Sequence, residues 1–320
     1  MSEHNWTYDA DVGVHKNNFI SNKLLHQSVA RNKLLPFTTP IGFGKGKGEY
    51  VNIMHIKELP DPTNAQLDED TRIPIDKLQW GNRQIKVVEW GRGVEYTNLT
   101  QQLSKFDTAS ELQKALTRQM DRAMDTAVAT AMKHTDVKIC FIPTSLTGGT
   151  FDVDGTPSTT ALANITFDHM GVLADYLAGD IHCPPFEGED FIMVSCRKTL
   201  RGLKQDTLWQ QVHMYLQKGD LFFKGETGKA ENIRCVEVNR EAALSNNASA
   251  TCTVLGQAIV FGDEAIGRVE AEAPQLYADP NYQSDFGRSK AVAWVGILAF
   301  APIWDTATDG ESKVIRIASA

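Results

Sequence analysis

TASELQKALTRQMDRAMDTAVATAMK, from Thr108 to Lys133, is the stretch that decides the fold of this chain. Its larger apolar side chains recur at every fourth position, which is the spacing of one face of an α-helix. That row consists of Leu112, Leu116, Met120, Met124, Val128 and Met132. A second row of small side chains runs beside it and consists of Ala115, Ala123, Ala127 and Ala131. We predict one helix over 107–134, opened by a capping box of the S/T-x-x-E type at Thr108 and Glu111.

The length of this helix matters as much as its pattern. Twenty-six residues at about 1.5 Å each give a rod of roughly 39 Å, which exceeds the diameter of a small domain. A helix this long is expected to serve as a backbone on which the other elements hang. Its methionines are interpreted as core packing rather than as a binding surface.

Two segments rich in β-forming residues precede the helix, at 50–59 and 83–90. In the second segment, Ile85 and Val87 share one face. The stretch between the segments is polar and carries an acidic group made of Asp68, Glu69 and Asp70. The pattern predicts an extended hairpin that is too long to bury both faces against its own domain. Its partner is therefore expected to be another copy of the chain.

The remaining elements follow no repeating order. Strands are predicted at 138–143, 191–196, 233–239, 251–261, 291–303 and 314–317, and helices at 15–35, 167–177, 197–204 and 208–217. The glycines of Gly91-Arg92-Gly93 are predicted to break the second hairpin strand before 94–97. The basic helix at 15–35 fits either a solvated face or an arm that docks on an acidic neighbour. Because strands and helices are mixed rather than alternating as βαβ units, the predicted fold class is α+β.

Charge and cysteine content exclude some classes of protein. The net charge is −8 and the pI is about 5.5, which counts against a protein whose main task is to bind DNA through its phosphates. The five cysteines are odd in number and widely spaced, with no C-x-x-C pair. This predicts buried free thiols rather than a disulfide framework or a zinc ribbon. The N-terminus shows no signal peptide, and the apolar run at 291–304 is too short to span a bilayer.

No catalytic pattern emerges from the sequence. It contains neither G-x-S-x-G nor H-E-x-x-H, and the glycines at 42–48 do not fit a phosphate-binding loop. A calcium-loop start at Asp152 fails because Ala163 stands where the EF-hand pattern requires glutamate. We therefore predict no catalytic, cofactor-binding or metal-binding residues and no enzymatic activity.

Two sets of motifs carry a resemblance to a known family. The first set is RGLKQD at 201–206, LFFKGETG at 221–228 and NIRCVE at 232–237. The second is DFGRSKAVAW at 285–294, which closes at Ile303-Trp304. Both resemble the major capsid proteins of podovirus-type tailed bacteriophages, whose fold also places a long hairpin before a long helix. The resemblance covers most of the chain.

The resemblance implies the tailed-phage major-capsid fold of the Hong Kong type. On that analogy the chain has an N-terminal arm (1–40), an E-loop hairpin (41–100), a spine helix with part of the peripheral domain (101–164), an axial domain (165–275) and a return to the peripheral domain (276–320). Copies would form pentamers and hexamers that close an icosahedral shell around double-stranded DNA without reading its sequence. Portal and scaffold proteins would be further partners, with a decoration protein left open. The implied location is the virion, assembled in the host cytoplasm, with no cofactor and no membrane.

The charges suggest one specific contact between copies. We hypothesise that the acidic tip at Asp68, Glu69 and Asp70 meets a basic surface on a neighbour. The candidate basic residues are Arg197, Lys198, Arg201 and Lys204. Two other functions stay open: an encapsulin-like nanocompartment shell of the same fold, which would enclose an enzyme, and an α+β enzyme.

Overall fold

The computed structural model describes residues 34–44, 46, 48–56, 59, 66, 72–105, 107–135, 137–141, 149–152, 164–197, 199–215, 226–238, 244, 256–282, 286–304 and 312–319. The predicted helix at 15–35 lies outside these residues except for its last two positions. Most of the predicted N-terminal arm lies outside them as well.

Thirteen strands and five α-helices are found within the described residues. The strands are β1 (Thr39–Gly42), β2 (Tyr50–Ile56), β3 (Trp80–Lys86), β4 (Val88–Thr97), β5 (Lys138–Phe141), β6 (Gly149–Asp152), β7 (Phe191–Cys196), β8 (Glu226–Ala230), β9 (Ile233–Val238), β10 (Gly256–Phe261), β11 (Ile266–Asp279), β12 (Ser289–Pro302) and β13 (Val314–Ser319). The helices are α1 (Asn98–Leu103), α2 (Thr108–Lys133), α3 (Phe167–Asp175, continued by a π-helical turn to Asp180), α4 (Thr199–Gln205) and α5 (Thr207–Tyr215).

The long helix α2 spans 26 residues, as predicted. Its predicted capping box is wrong. The N-cap is Asp107, one residue earlier than expected, and its side chain makes no capping hydrogen bond. Thr108 is already the first helical residue, so its hydroxyl cannot occupy the cap position. Glu111 instead forms an ion pair with Lys114 of the next turn at 3.0 Å.

A seven-stranded mixed sheet forms the larger core, with the strand order β6-β5-β13-β10-β7-β9-β8. Every residue of its central strands β7 and β10 is buried, because both faces of the sheet are covered. One face packs against α3, α4 and α5, for example through Leu173 and Leu203. The opposite face packs against the C-terminal half of α2 through Val128 and Met132.

A four-stranded sheet also packs against α2, with the strand order β1-β11-β12-β4. Leu116 and Met124 of α2 form a buried cluster with Val292, Trp294 and Leu298 of β12. The helix therefore buries its apolar side chains against two different sheets.

The second predicted hairpin strand is divided between two sheets. Strand β3 ends at Lys86, and β4 starts at Val88 and continues to Thr97 beside β12. The predicted break at Gly91-Arg92-Gly93 is therefore wrong. A Cβ on Gly91 would lie 3.0 Å from the Trp294 carbonyl oxygen, and one on Gly93 would lie 3.1 Å from the Ala293 Cβ. These glycines allow two strands to approach closely rather than ending one of them.

The 14-residue strand β11 carries a proline in its interior. Pro274 is tolerated because the pairing with β12 is interrupted by register shifts between Glu270 and Glu272 and between Glu272 and Gln275. The opposite strand provides the space that the proline ring needs, since a Cβ on Gly296 would lie 2.8 Å from the Pro274 Cα. The bulged pairing explains why simple alternation does not reveal this strand.

A buried carboxylate joins α2 to the start of the described chain. Asp125 is completely buried, and its Oδ1 accepts a hydrogen bond from the Leu34 backbone N–H at 2.9 Å. Leu34 itself is completely buried in the cluster beneath α2. The pair fixes the segment that precedes β1 against the helix.

We expect Asp125→Ala to destabilise the fold by about 1–3 kcal/mol, because a buried N–H loses its acceptor. Chemical denaturation of purified protein measures the loss. Asp121→Ala removes an exposed carboxylate from the same helix and should change the free energy of unfolding by less than about 0.5 kcal/mol. Equal stabilities of the two variants would contradict the role of Asp125.

Candidate assembly surfaces

The β2–β3 hairpin has one inward and one outward face. The strands pair antiparallel from Tyr50 opposite Lys86 to Ile56 opposite Trp80. Exposure alternates along both strands, so that successive side chains point to opposite faces. Residues of the inward face are Val51, Ile53, His55, Gly81, Arg83 and Ile85. Residues of the outward face are Tyr50, Asn52, Met54, Ile56, Trp80, Asn82, Gln84 and Lys86.

The base of the inward face packs onto the four-stranded sheet. Ile85 is buried with Val269 of β11 and Ala299 of β12, and Val51 and Ile53 lie against the same cluster. This packing attaches the hairpin to the body. Ile85 and Val87 share the face that makes this contact, as the alternation of the sequence predicted.

Further out, the inward face is held by an aromatic contact. The buried ring of His55 lies 4.8 Å from the ring of Trp304, measured between centroids. The Lys313 Nζ lies 4.3 Å from the centroid of the Trp304 ring, and burial lowers the pKa of Lys313. Gly81 stands opposite His55, and any Cβ there would overlap the imidazole ring.

The outward face changes from polar to apolar with distance from the body. At the base, Lys86 forms an ion pair with Glu49 at 2.6 Å and lies over the Tyr50 ring. At the far end, Met54 is 67% exposed and the cross-strand pair of Ile56 and Trp80 is more than half exposed.

The apolar surface continues into the chain that leads to β3. In residues 72–79, which have no regular secondary structure, Ile73 is 65% exposed and Ile75 is 79% exposed. Leu59 and Leu78 are each 48% exposed. Several large exposed apolar side chains in one segment are typical of a surface that binds another molecule. We call Met54, Ile56, Ile73, Ile75, Leu78 and Trp80 the hairpin patch.

Solved structures with the same arrangement come from phage capsids. The head structure of Helicobacter pylori bacteriophage KHP40 matches with a TM-score of 0.72 and 13% identity, over 98% of this chain and 99% of that chain. The cyanophage Pam1 capsid matches with a TM-score of 0.69 and 16% identity, over 98% and 99% of the two chains. The capsid of Ralstonia phage GP4 matches with a TM-score of 0.68 and 14% identity, over 98% and 97%. The chain has the phage-capsid fold.

In the terms of that fold, α2 is the spine helix and the β2–β3 hairpin is the E-loop. The predicted α+β capsid fold is thereby confirmed. The likeness lies in structure rather than in sequence, because the identities are all low. No protein-family model matches the chain, and no curated protein matches it.

The predicted basic surface lies partly on α4. The side chain of Arg197 is 81% exposed, and its Nε lies 3.8 Å from Glu237 of β9. Lys204 lies 3.1 Å from the same carboxylate. Arg201 is exposed on α4. Glu237 thus offsets part of the positive charge, although partly exposed ion pairs of this kind contribute little energy.

The acidic residues predicted to meet this surface, Asp68, Glu69 and Asp70, lie outside the described residues, as does Lys198. The structure brings Arg197 and Lys204 together through Glu237, but it does not test their pairing with the acidic tip. Glu237 is the residue that sequence reasoning missed here. Its signal was its spacing from Ile233 and Cys235, which lie on the sheet face that packs against α4.

The row of small side chains on the spine helix lines a groove. Ala123, Ala127 and Ala131 form one wall, and Trp90 and Phe300 contribute to the other, around a volume of about 570 Å³. The sequence showed the small residues but did not indicate that they line a groove. Their short side chains leave space between the helix and the four-stranded sheet.

The three cysteines whose side chains are described, Cys183, Cys196 and Cys235, are free and buried, as predicted. Burial raises the pKa of Cys183 to about 11 and also raises that of Cys235. Among the described residues, no three His, Cys, Asp or Glu side chains are grouped so that they could hold a metal ion. No described helix has the length and apolar character needed to cross a membrane.

Sequence reasoning also missed an apolar group at the opposite end of the four-stranded sheet. Leu99 and Leu103 of α1 are 69% and 78% exposed, and Phe286 is 98% exposed. The two leucines stand four residues apart in a short polar segment, which is a weak signal. Only the strand pairing shows that Phe286 lies near them.

We expect Gly81→Val to displace the His55 ring from Trp304, because the new side chain overlaps the imidazole. Overpacking of this kind costs about 1–3 kcal/mol. Amide hydrogen exchange should become faster in β2 and β3 and stay unchanged in β7. Gly42→Val is the matched control, since no atom lies within 4 Å of its added Cβ. Unchanged exchange in Gly81→Val would refute the anchoring role of His55.

Proposed function

We propose that the chain is the structural subunit of a bacteriophage capsid and assembles as pentamers and hexamers into an icosahedral shell around the phage genome. The fold supports the proposal, because the matched phage-capsid chains align with this chain over nearly its whole length. The observation that carries the proposal in this molecule is the hairpin patch. Its far end exposes large apolar side chains that the described residues of the chain leave uncovered.

A hairpin of this form would be only marginally stable in an isolated molecule. Two strands alone are marginally stable in water, and this hairpin is covered on its inward face only. Full burial of one large apolar side chain contributes about 1.5–3 kcal/mol. Several such side chains on a neighbouring copy's surface would supply a contact of useful strength. A repeated symmetric contact then lets one surface serve in every subunit.

The division into domains is part of the same proposal. We propose the N-terminal arm at 1–40, the E-loop at 41–100, the spine helix with part of the peripheral domain at 101–164, the axial domain at 165–275 and the return to the peripheral domain at 276–320. The seven-stranded sheet would form the axial core. It also draws in β5, β6 and β13 from outside 165–275, and we assign these strands to the same body. The four-stranded sheet, with α2, would form the peripheral domain, and we assign β11 to it although that strand begins within 165–275.

The proposed partners follow from a container function. The main partner is the chain itself, and portal and scaffold proteins would join it, with a decoration protein left open. Double-stranded DNA would be enclosed without sequence-specific contacts, which agrees with a net charge of −8. The shell would be part of the virion, assembled in the host cytoplasm. Its role would be structural rather than catalytic.

Electron microscopy and sedimentation of purified protein test the proposal. We expect uniform closed particles tens of nanometres wide. Ile75→Asp should raise the protein concentration needed for half-maximal assembly at least about tenfold, because a charge replaces an apolar side chain that must be buried. The thermal midpoint of the dispersed chain should stay the same, since Ile75 is 79% exposed.

Gln79→Asp is the control, because it adds the same charge to the same exposed segment without removing an apolar side chain. It should assemble almost as well as the unaltered chain. A dispersed small species under all conditions would overturn the proposed function. Normal assembly of Ile75→Asp would show that the hairpin patch is not an assembly contact.

A charge-swap series tests the proposed contact between the acidic tip and the basic surface. The triple reversal Asp68→Lys, Glu69→Lys and Asp70→Lys should impair assembly and leave the monomer folded. Adding Arg201→Glu to that variant should restore part of the assembly, because opposite charges face each other again. Arg201→Glu alone is the control that shows the effect of this substitution without the triple reversal. Normal shells from the triple reversal would show that the tip does not use this contact.

A further inference from the structure

Helix α3 begins where the chain enters the helical layer over the seven-stranded sheet. Its N-cap is Thr166 and its first residue is Phe167. Met170 and Leu173 of this helix are completely buried in the cluster that covers the sheet. The first N–H groups of a helix have no partner within the helix and need acceptors from elsewhere. Here two side chains supply those acceptors, and one of them can take up a proton near neutral pH.

The first acceptor is the imidazole of His169. Its Nδ1 accepts a hydrogen bond from the Thr166 N–H at 3.1 Å. A backbone N–H can only donate, so Nδ1 must be the unprotonated nitrogen of the ring. The residue is 4% exposed, so little water reaches this bond. His169 stands at the third position of the helix, where a capping box usually carries Glu or Gln.

The second acceptor is the carboxylate of Asp206, in the link between α4 and α5. Its Oδ2 accepts from the Phe167 N–H at 2.8 Å, and its Oδ1 accepts from the Leu208 N–H at 3.1 Å. One carboxylate therefore holds the first turns of two helices. Together with His169, it serves the N–H groups of two consecutive residues, 166 and 167.

Two opposing influences act on the charge of the His169 ring. Burial lowers the pKa of His169, and the nearby carboxylates of Asp168 and Asp206 offset this shift only in part. The neutral ring is therefore the favoured form in the folded chain, which is the form that the bond to Thr166 requires.

Other charged groups lie on the elements that pack around α3. Glu231, in the turn between β8 and β9, lies beside Gly171. This is the side of the helix opposite to residue 169, because two residues span more than half a turn. On α4, Arg201 is exposed and Lys204 pairs with Glu237 at 3.1 Å. The two nearby carboxylates are thus the described charges that the ring meets when it is protonated.

We propose that the first turn of α3 is a pH-sensitive latch, which is closed while the His169 ring is neutral and released when Nδ1 takes up a proton. The protonated ring has two N–H donors and no acceptor, so it repels the Thr166 N–H instead of binding it. The Asp206 carboxylate then attracts the ring and holds the Phe167 N–H less firmly. The latch lies within one subunit, so it goes beyond the proposed function and does not depend on it.

The direction of the pH dependence follows from the burial of the ring. In the unfolded chain, histidine has its ordinary pKa of about 6.5. In the folded chain, burial lowers the pKa of His169, so the unfolded chain binds the proton at a higher pH. The latch therefore contributes its full stability above about pH 6.5 and loses it as the pH falls below that value.

Amide hydrogen exchange of the purified chain tests the latch at about pH 8 and about pH 5, which lie on either side of histidine titration. Each rate is divided by the intrinsic rate at the same pH. The protection of amides 166–170 should fall about tenfold at the lower pH, because a buried hydrogen bond is lost. Amides of β7 should keep their protection.

Two substitutions separate the proton from the cap. His169→Gln places an acceptor that does not titrate at a position where capping boxes carry it, so protection of 166–170 should be equal at both pH values. His169→Ala removes the acceptor and should lower that protection about tenfold at both. His134→Gln, at the exposed end of α2, is the matched control and should keep the acid response of the unaltered chain.

The comparison of the unaltered chain with His169→Gln decides the outcome, even if His169→Ala does not fold. An acid response that persists in His169→Gln would overturn the latch, and so would equal protection at both pH values in the unaltered chain. A chain that never forms particles but loses its acid response in His169→Gln would support the latch and overturn only the shell function. Particles formed by a chain without this response would support only the shell function.

Discussion

The burial of α2 against two sheets at once is the constraint on which the rest of this structure depends. The helix packs on the seven-stranded sheet through Val128 and Met132 and on the four-stranded sheet through Leu116 and Met124. The buried carboxylate of Asp125 also holds the segment that precedes β1 against this helix, by accepting a hydrogen bond from the Leu34 N–H. Because one rigid element carries both cores, the positions of the two sheets are coupled through its length.

This arrangement also explains why some apolar side chains remain outside. The four-stranded sheet receives α2 on one face and the base of the E-loop on the other, through Ile85 and its neighbours. Once those faces are filled, no described part of the body covers the outward side chains at the far end of the hairpin. Their exposure therefore follows from the architecture rather than from poor packing. In the proposed shell, neighbouring copies supply the cover that the subunit lacks.

The sequence predicted the features that depend on local periodicity. The every-fourth apolar row predicted α2, and continuous apolar runs predicted β7 and β12. Features set by partners distant in sequence were harder to predict. Strands β3 and β4 read as one segment, because only the pairing of Val88 with Leu298 reveals the change of sheet. Bulges around Pro274 concealed β11. The predicted acidic contact stays a prediction, because its acidic residues lie outside the described part of the chain.

The attachment of the E-loop has a consequence for the proposed assembly. The base of the E-loop packs on β11 and β12 near Val269 and Ala299, and β12 in turn packs on α2 through Val292, Trp294 and Leu298. The body of the subunit therefore sets the direction in which the hairpin patch faces. In a symmetric assembly, that direction would decide whether repeated contacts close on themselves or continue without limit.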